Sequence, residues 1–145
     1  MPENCSETDI KNRGYDKCFI VKGKFYGENC MPSLNNLIAE AERNPHSYNH
    51  LKRQMEFVVI NAIRLQLKGW KAQHQVQLHF EFGEKNKGHK RDFDNIASAS
   101  WKIIGDALVK SGTIKDDAPK YLLPSTNSFV YTDTPYVKVY IKEII

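Results

Sequence analysis

The chain has no long apolar run. Its longest hydrophobic stretches are a few residues, so no segment reads as a membrane span. Met1-Pro2-Glu3-Asn4-Cys5 lacks the basic and apolar regions of a signal peptide. Cysteine is scarce and odd in number: Cys5, Cys18 and Cys30 have neither the pairing of a disulfide framework nor the spacing of a zinc site. They read as reduced thiols of a cytoplasmic protein, two of them structural. Charge of one sign is not extreme, and a net +4 permits nucleic acid without requiring it. No repeat, linker or low-complexity segment divides the 145 residues, so one domain with a real core is expected.

Residues 1–16 are polar and aperiodic and read as a flexible N-terminal tail, leaving 17–145 as the folded domain. Cys18–Val21 is β-prone and stops at Gly23. Ser33 is placed to cap a short helix over 34–43, which Asn44-Pro45 ends. A longer helix is expected over about 46–68, with Leu51, Met55, Val58, Val59, Ala62 and Ile63 on one face and Gly69 as its stop. Val76, Leu78, Phe80 and Phe82 alternate with polar residues, the pattern of a strand buried on one side. A polar loop, 84–91, leads into a helix from Asp92 or Phe93 to Lys110, whose apolar stripe includes Phe93, Ile96, Ser100, Trp101, Ile104 and Leu108. Ser111-Gly112 closes it. One strand within 120–132 and another over 136–144 follow, joined by a turn at 132–135. The order β-α-α-β-α-β-β predicts an α+β domain: one mixed sheet of about four strands, with helices packed mainly on one face.

Chemistry concentrates around the last helix. Asp92 and Asp94 stand at its start, and Asp116-Asp117 follow its Gly112 turn. Helix capping explains an acidic N-terminus, because unpaired amides attract negative charge there. Capping is the better reading of Asp92 and Asp94 taken alone; together with Asp116-Asp117 they also suit a hard divalent cation such as Mg2+, which takes carboxylate oxygens and keeps several waters. An EF-hand is excluded: with Asp92 as position one, Ala97 stands where the turn glycine belongs and Ile103 where the bidentate glutamate belongs. The two acidic pairs can serve one site only if the helix start and the following loop border one cleft, within a chain or across subunits. Lys85, Lys87, Lys90 and Arg91 read either as a solvated loop or as a positive approach for a polyanion.

Lys90-Arg91-Asp92-Phe93-Asp94-Asn95-Ile96, then Asp106-Ala107-Leu108, Gly112 and Ile114-Lys115-Asp116-Asp117, closely resembles the RusA-type Holliday junction resolvases, in their phage or prophage branch. Pro32-Ser33-Leu34-Asn35 looks like that family's Pro-x-x-Asn segment, and the closing Pro-Tyr-Val-Lys-Val-Tyr-Ile strand fits as well. The resemblance implies a Mg2+-dependent endodeoxyribonuclease, with Mn2+ able to substitute. It implies that Asp92, Asp94 and Asp117 bind the metal, with Asp116 assisting. It implies a homodimer resolving a four-way DNA junction by paired nicking, in recombination and repair. The family's helix lysine is matched by Lys102, one turn before Asp106, although Ser98 holds the position nearer Asp94. A nuclease acting on flaps or forks, and a non-catalytic nucleic-acid-binding protein, are the alternatives.

Overall fold

The structure is a computed structural model that describes residues 5–145. Its elements are α1 (Glu7–Asn12), β1 (Lys17–Lys22), α2 (Leu34–Arg43), α3 (Pro45–Leu67), β2 (Gln75–Lys85), α4 (Phe93–Lys110), β3 (Thr126–Thr132) and β4 (Tyr136–Ile144). The fold is α+β, with one mixed four-stranded sheet in the order β1-β4-β2-β3. β4 runs antiparallel to both β1 and β2, while β3 runs parallel to β2. α4 spans the connection between the two parallel strands, which cannot be joined by a hairpin.

Local chemistry sets the helix ends. At α2, Ser33 accepts from the Asn36 amide while the Asn36 side chain accepts from the Ser33 amide, a reciprocal capping box. Asn44 ends α2 and caps α3, whose first residue is Pro45. Lys68 takes the left-handed conformation (φ 51°) that ends α3, ahead of Gly69. Gly112, at φ 79°, lets the chain turn back after α4.

One hydrophobic cluster lies between the sheet and α2, α3 and α4. Phe19 and Val21 of β1, Val76, Leu78, Phe80 and Phe82 of β2, and Val137, Val139 and Ile141 of β4 meet Met55, Val59 and Ile63 of α3 and Ile96, Ile103, Ile104 and Leu108 of α4. Each such side chain, fully buried, contributes roughly 1.5–3 kcal/mol. α3 and α4 are further tied by charge. Lys52 donates to Asp106 at 2.8 Å and lies 3.3 Å from buried Glu56, and Glu56 also pairs with Lys110.

The opposite sheet face is covered by the segment read as a tail. From residue 5 onward it is built into the fold; residues 1–4 lie outside the described residues. Ser6 caps α1, Tyr140 donates to Asp9 at 3.1 Å, Arg13 lies 3.8 Å from Glu81, and Tyr15 packs on Tyr140 with ring centroids 4.9 Å apart. The Asp16 amide then donates to the Ile141 carbonyl at 2.8 Å. The expectation of three reduced thiols is also overturned. Cys5 and Cys18 form a disulfide, because α1 folds back over the end of the sheet that begins at β1. Cys30 is free and buried, and burial pushes its thiol up to about 12.

Two further expectations change. β2 runs on to Lys85, because β3 pairs with it as far as Lys85–Thr132, so the basic loop is shorter than 84–91. At Gly83 of this extension a side chain would overlap the Tyr136 ring, which lies directly across from it. Phe93 does not join the buried stripe of α4: it is 46% exposed. Among the described residues no helix is long and apolar enough to cross a membrane.

Candidate active site

Asp92 is the N-cap residue of α4, yet its side chain makes no capping hydrogen bond. The main chain alone starts the helix, through the Asp92 carbonyl and the Ile96 amide at 3.2 Å. Asp92 instead opens into a cavity of about 280 Å3 lined by Asn29, Ser33, Asn35, Asn36, Lys85, His89, Arg91 and Asn95. The capping box that fixes the start of α2 therefore also sets Asn35 beside Asp92.

Asp117 reaches α4 from the other end. The 111–125 segment folds back along the helix, so Asp117 shares a cavity with Trp101, Lys102, Gly105, Asp106 and Leu122, and another with Ala97, Ser98, Trp101 and Pro124. Residues three, four and seven positions apart share one helix face, which places Asp94 above Ala97, Ser98 and Trp101. Asp117 thus lies against the α4 face that carries Ala97, Ser98 and Trp101, the face on which helical spacing also puts Asp94, while Asp92 lines a different cavity. Among the described residues, no three His, Cys, Asp or Glu side chains come together to hold a metal ion.

The carboxylates differ in what they are tied to. Asp106 is held by Lys52 at 2.8 Å and faces Lys102 at 3.8 Å. Asp116 accepts from the Asp117 amide at 2.8 Å, which spends it on the shape of the loop. The Asp92, Asp94 and Asp117 side chains are exposed and accept no hydrogen bond or ion pair among the described residues.

The basic residues divide in the same way. Arg91 grips Glu84 through two hydrogen bonds, Nε at 2.9 Å and Nη2 at 2.8 Å, and its Nη1 donates to the Met31 carbonyl at 2.7 Å. Its side chain is 11% exposed and that of Glu84 7%. Arg91, expected as a phosphate contact, is a clamp that joins β2 to the loop before α2 directly ahead of Asp92, and it also lines the Asp92 cavity. Lys85 lines the Asp92 cavity and also a cavity of about 450 Å3 with Lys24, Lys87, Asn86 and Asp133. Lys90 donates to the Asn86 carbonyl at 3.1 Å and lies over the Tyr131 ring. Lys102 is 60% exposed and lines one of the two cavities that Asp117 borders, and Ser98 lines the other.

Sequence reasoning missed Glu84, Asn35 and Asn95 as site-building residues. Glu84 and Arg91 are seven positions apart across a strand end and a loop, a separation with no local pattern to betray it. Asn35 and Asn95 sat inside the quoted motifs without an assigned role, and only the Asp92 cavity brings them together. Comparison with known family models finds no match to this chain, and comparison with curated proteins finds none either.

Proposed function

We propose that this chain is a Mg2+-dependent endodeoxyribonuclease that resolves four-way DNA junctions by nicking opposed strands, as its resemblance to the RusA-type resolvases implies. One observation carries the reading. Asp92, Asp94 and Asp117 stand along one helix without an internal partner, while neighbouring Asp106, Asp116 and Glu84 are all tied down. Asp92 in particular occupies a capping position without capping, which removes the ordinary reason for its presence.

Three unneutralised carboxylates are a donor set suited to Mg2+ or Mn2+. Asp92, Asp94 and Asp117 would hold the ion, and since no three such side chains converge among the described residues, closing the set calls for movement of the 115–119 loop or for a second subunit. A bound ion supplies charge neutralisation at the phosphate and a more acidic water. The chain's own residues orient the substrate. Lys85, Lys87 and Lys90 attract backbone phosphates, and Lys102 adds a cation beside Asp117. Arg91 and Glu84 hold Asp92 in place from beneath.

A junction has near two-fold symmetry, so a homodimer with one site per subunit is the economical assembly, acting on DNA in the cytoplasm. The test is a mobile four-way junction, a fork and a flap, each incubated with Mg2+, Mn2+ or EDTA. Paired nicks in the junction, dependent on metal, support the proposal. Preference for the fork or flap supports the nuclease alternative. Binding without nicking in any metal leaves only the binding-protein reading.

A further inference from the structure

A column of aromatic rings rises out of the core beside Asp92 and Asp94. Its base is Phe82, fully buried in β2. Phe129 of β3 stacks on it, with ring centroids 5.1 Å apart and planes 21° apart. Phe93 stacks on Phe129 at 4.0 Å and 16°. There the column ends, with Phe93 46% exposed and Tyr131 alongside at 6.4 Å, itself 42% exposed. The Lys90 ammonium lies 4.9 Å from the Tyr131 ring centre. Phe129 and Tyr131 are two apart on β3 and so share the strand face that meets α4.

Fold stability does not call for this arrangement. The hydrophobic effect favours burying the last ring, and the α4 stripe otherwise goes inward. The exposed residue is the one between Asp92 and Asp94, so the open end of the column adjoins both carboxylates. Lysines stand near those carboxylates: Lys90 sits on the flanking ring, and Lys85 and Lys87 line a cavity that also holds Glu28 and Asp133. A flat apolar group attached to an anionic backbone matches both features at once. That is the description of an unpaired nucleotide, whose base has a π-face and whose phosphate has the charge.

We infer that Phe93, flanked by Tyr131, is a stacking platform for one unpaired nucleobase at the branch of the DNA substrate. The inference rests on the proposed action on branched DNA and adds how the branch is registered against Asp92 and Asp94. Lys85, Lys87 and Lys90 hold backbone without regard to sequence, and the platform requires a base that has left its duplex stack. Phe82 and Phe129 give Phe93 a rigid backing.

The experiment uses forked DNA carrying 2-aminopurine at the branch, and the same fork with an abasic site there, both in EDTA so that nothing is cut. The unmodified protein is expected to quench 2-aminopurine fluorescence and to bind the base-bearing fork roughly ten-fold more tightly than the abasic one. Phe93→Leu and Tyr131→Leu are expected to lose that discrimination, and Phe93→Tyr to keep it, with melting temperature and circular dichroism confirming that each variant is folded. Equal binding of the two forks by the unmodified protein overturns the platform, as does full discrimination by Phe93→Leu. A change from dimer to monomer in the Leu variants also overturns it, and makes this face a subunit contact. Nicking of a mobile four-way junction and of the same forks is measured in parallel in Mg2+, and nicking of either counts as nicking. Nicking without discrimination removes the platform and leaves the endonuclease proposal standing, whereas discrimination without nicking does the reverse.

Discussion

Arg91 and Glu84 form a two-pronged, nearly buried ion pair immediately before Asp92. Removing one partner strands the other charge in a place with little water. Arg91→Ala is therefore expected to cost about 3–5 kcal/mol of unfolding free energy. Arg91→Lys should recover only part of this, because an ammonium cannot make the paired hydrogen bonds. Urea unfolding of the two variants checks it. A loss of DNA affinity with stability intact would return Arg91 to the role of a phosphate contact.

The absence of a capping bond at Asp92 sharpens the test of the carboxylates. Asp92→Ala normally removes a cap worth about 1 kcal/mol. Here it should change the melting temperature little, as should Asp92→Asn and Asp94→Asn. Nicking in Mg2+ should be lost in all three and in Asp117→Asn, while junction binding in EDTA persists or tightens as repulsion from phosphate is relieved. Near-normal nicking rates in these variants would refute the assigned site.

Neutralising Lys85, Lys87 and Lys90 together should weaken junction binding and flatten its salt dependence. For every duplex phosphate that the protein no longer neutralises, the log–log slope should drop by roughly 0.9. Fluorescence anisotropy across a salt series measures both quantities. Unchanged affinity and slope would mean that these lysines are merely solvated.

His79 supplies a pH dependence on the far face of the sheet. Its ring nitrogens lie 2.6 Å from the Thr126 hydroxyl and 3.1 Å from that of Ser128. Burial lowers its pKa, partly opposed by Glu81 and reinforced by Arg13. The unfolded chain thus takes up this proton at a higher pH than the folded one. Stability from this group is complete above the ordinary histidine value and falls as pH drops through it, levelling off once the lower folded value is passed. Melting temperature against pH should accordingly fall less on the acid side in His79→Gln than in the unmodified protein. Parallel curves for the two would remove His79 from the acid response.

Much of the fold was legible because it is local. Periodicity marks α3 and α4, Ser33 announces α2 and Asn44-Pro45 ends it, and Val76 to Phe82 alternate as a half-buried strand must. What was hidden depends on distant partners. Six residues, five of them polar, do not hold a helix by themselves, so α1 shows only through the disulfide, Tyr140 and Glu81. The run of β2 to Lys85 is decided by β3, more than forty positions on. For the site, the sequence marks Asp92, Asp94 and Asp117 by their crowding. It says nothing of Arg91 turning inward, of Phe93 turning outward, or of Asp117 folding back beside Ser98.

The order β1-β4-β2-β3 puts the strand that comes latest in this sequence between the two that come earliest. β1 has no neighbour in the sheet except β4. A nascent chain halted before Tyr136 can assemble β2, α4 and β3, but β1 then has no strand to pair with. Its exposed edge is a template for another chain until the final nine-residue strand arrives. A frameshift or nonsense change within 136–144 should therefore yield aggregated or degraded protein, even though the acidic residues around α4 have all been made.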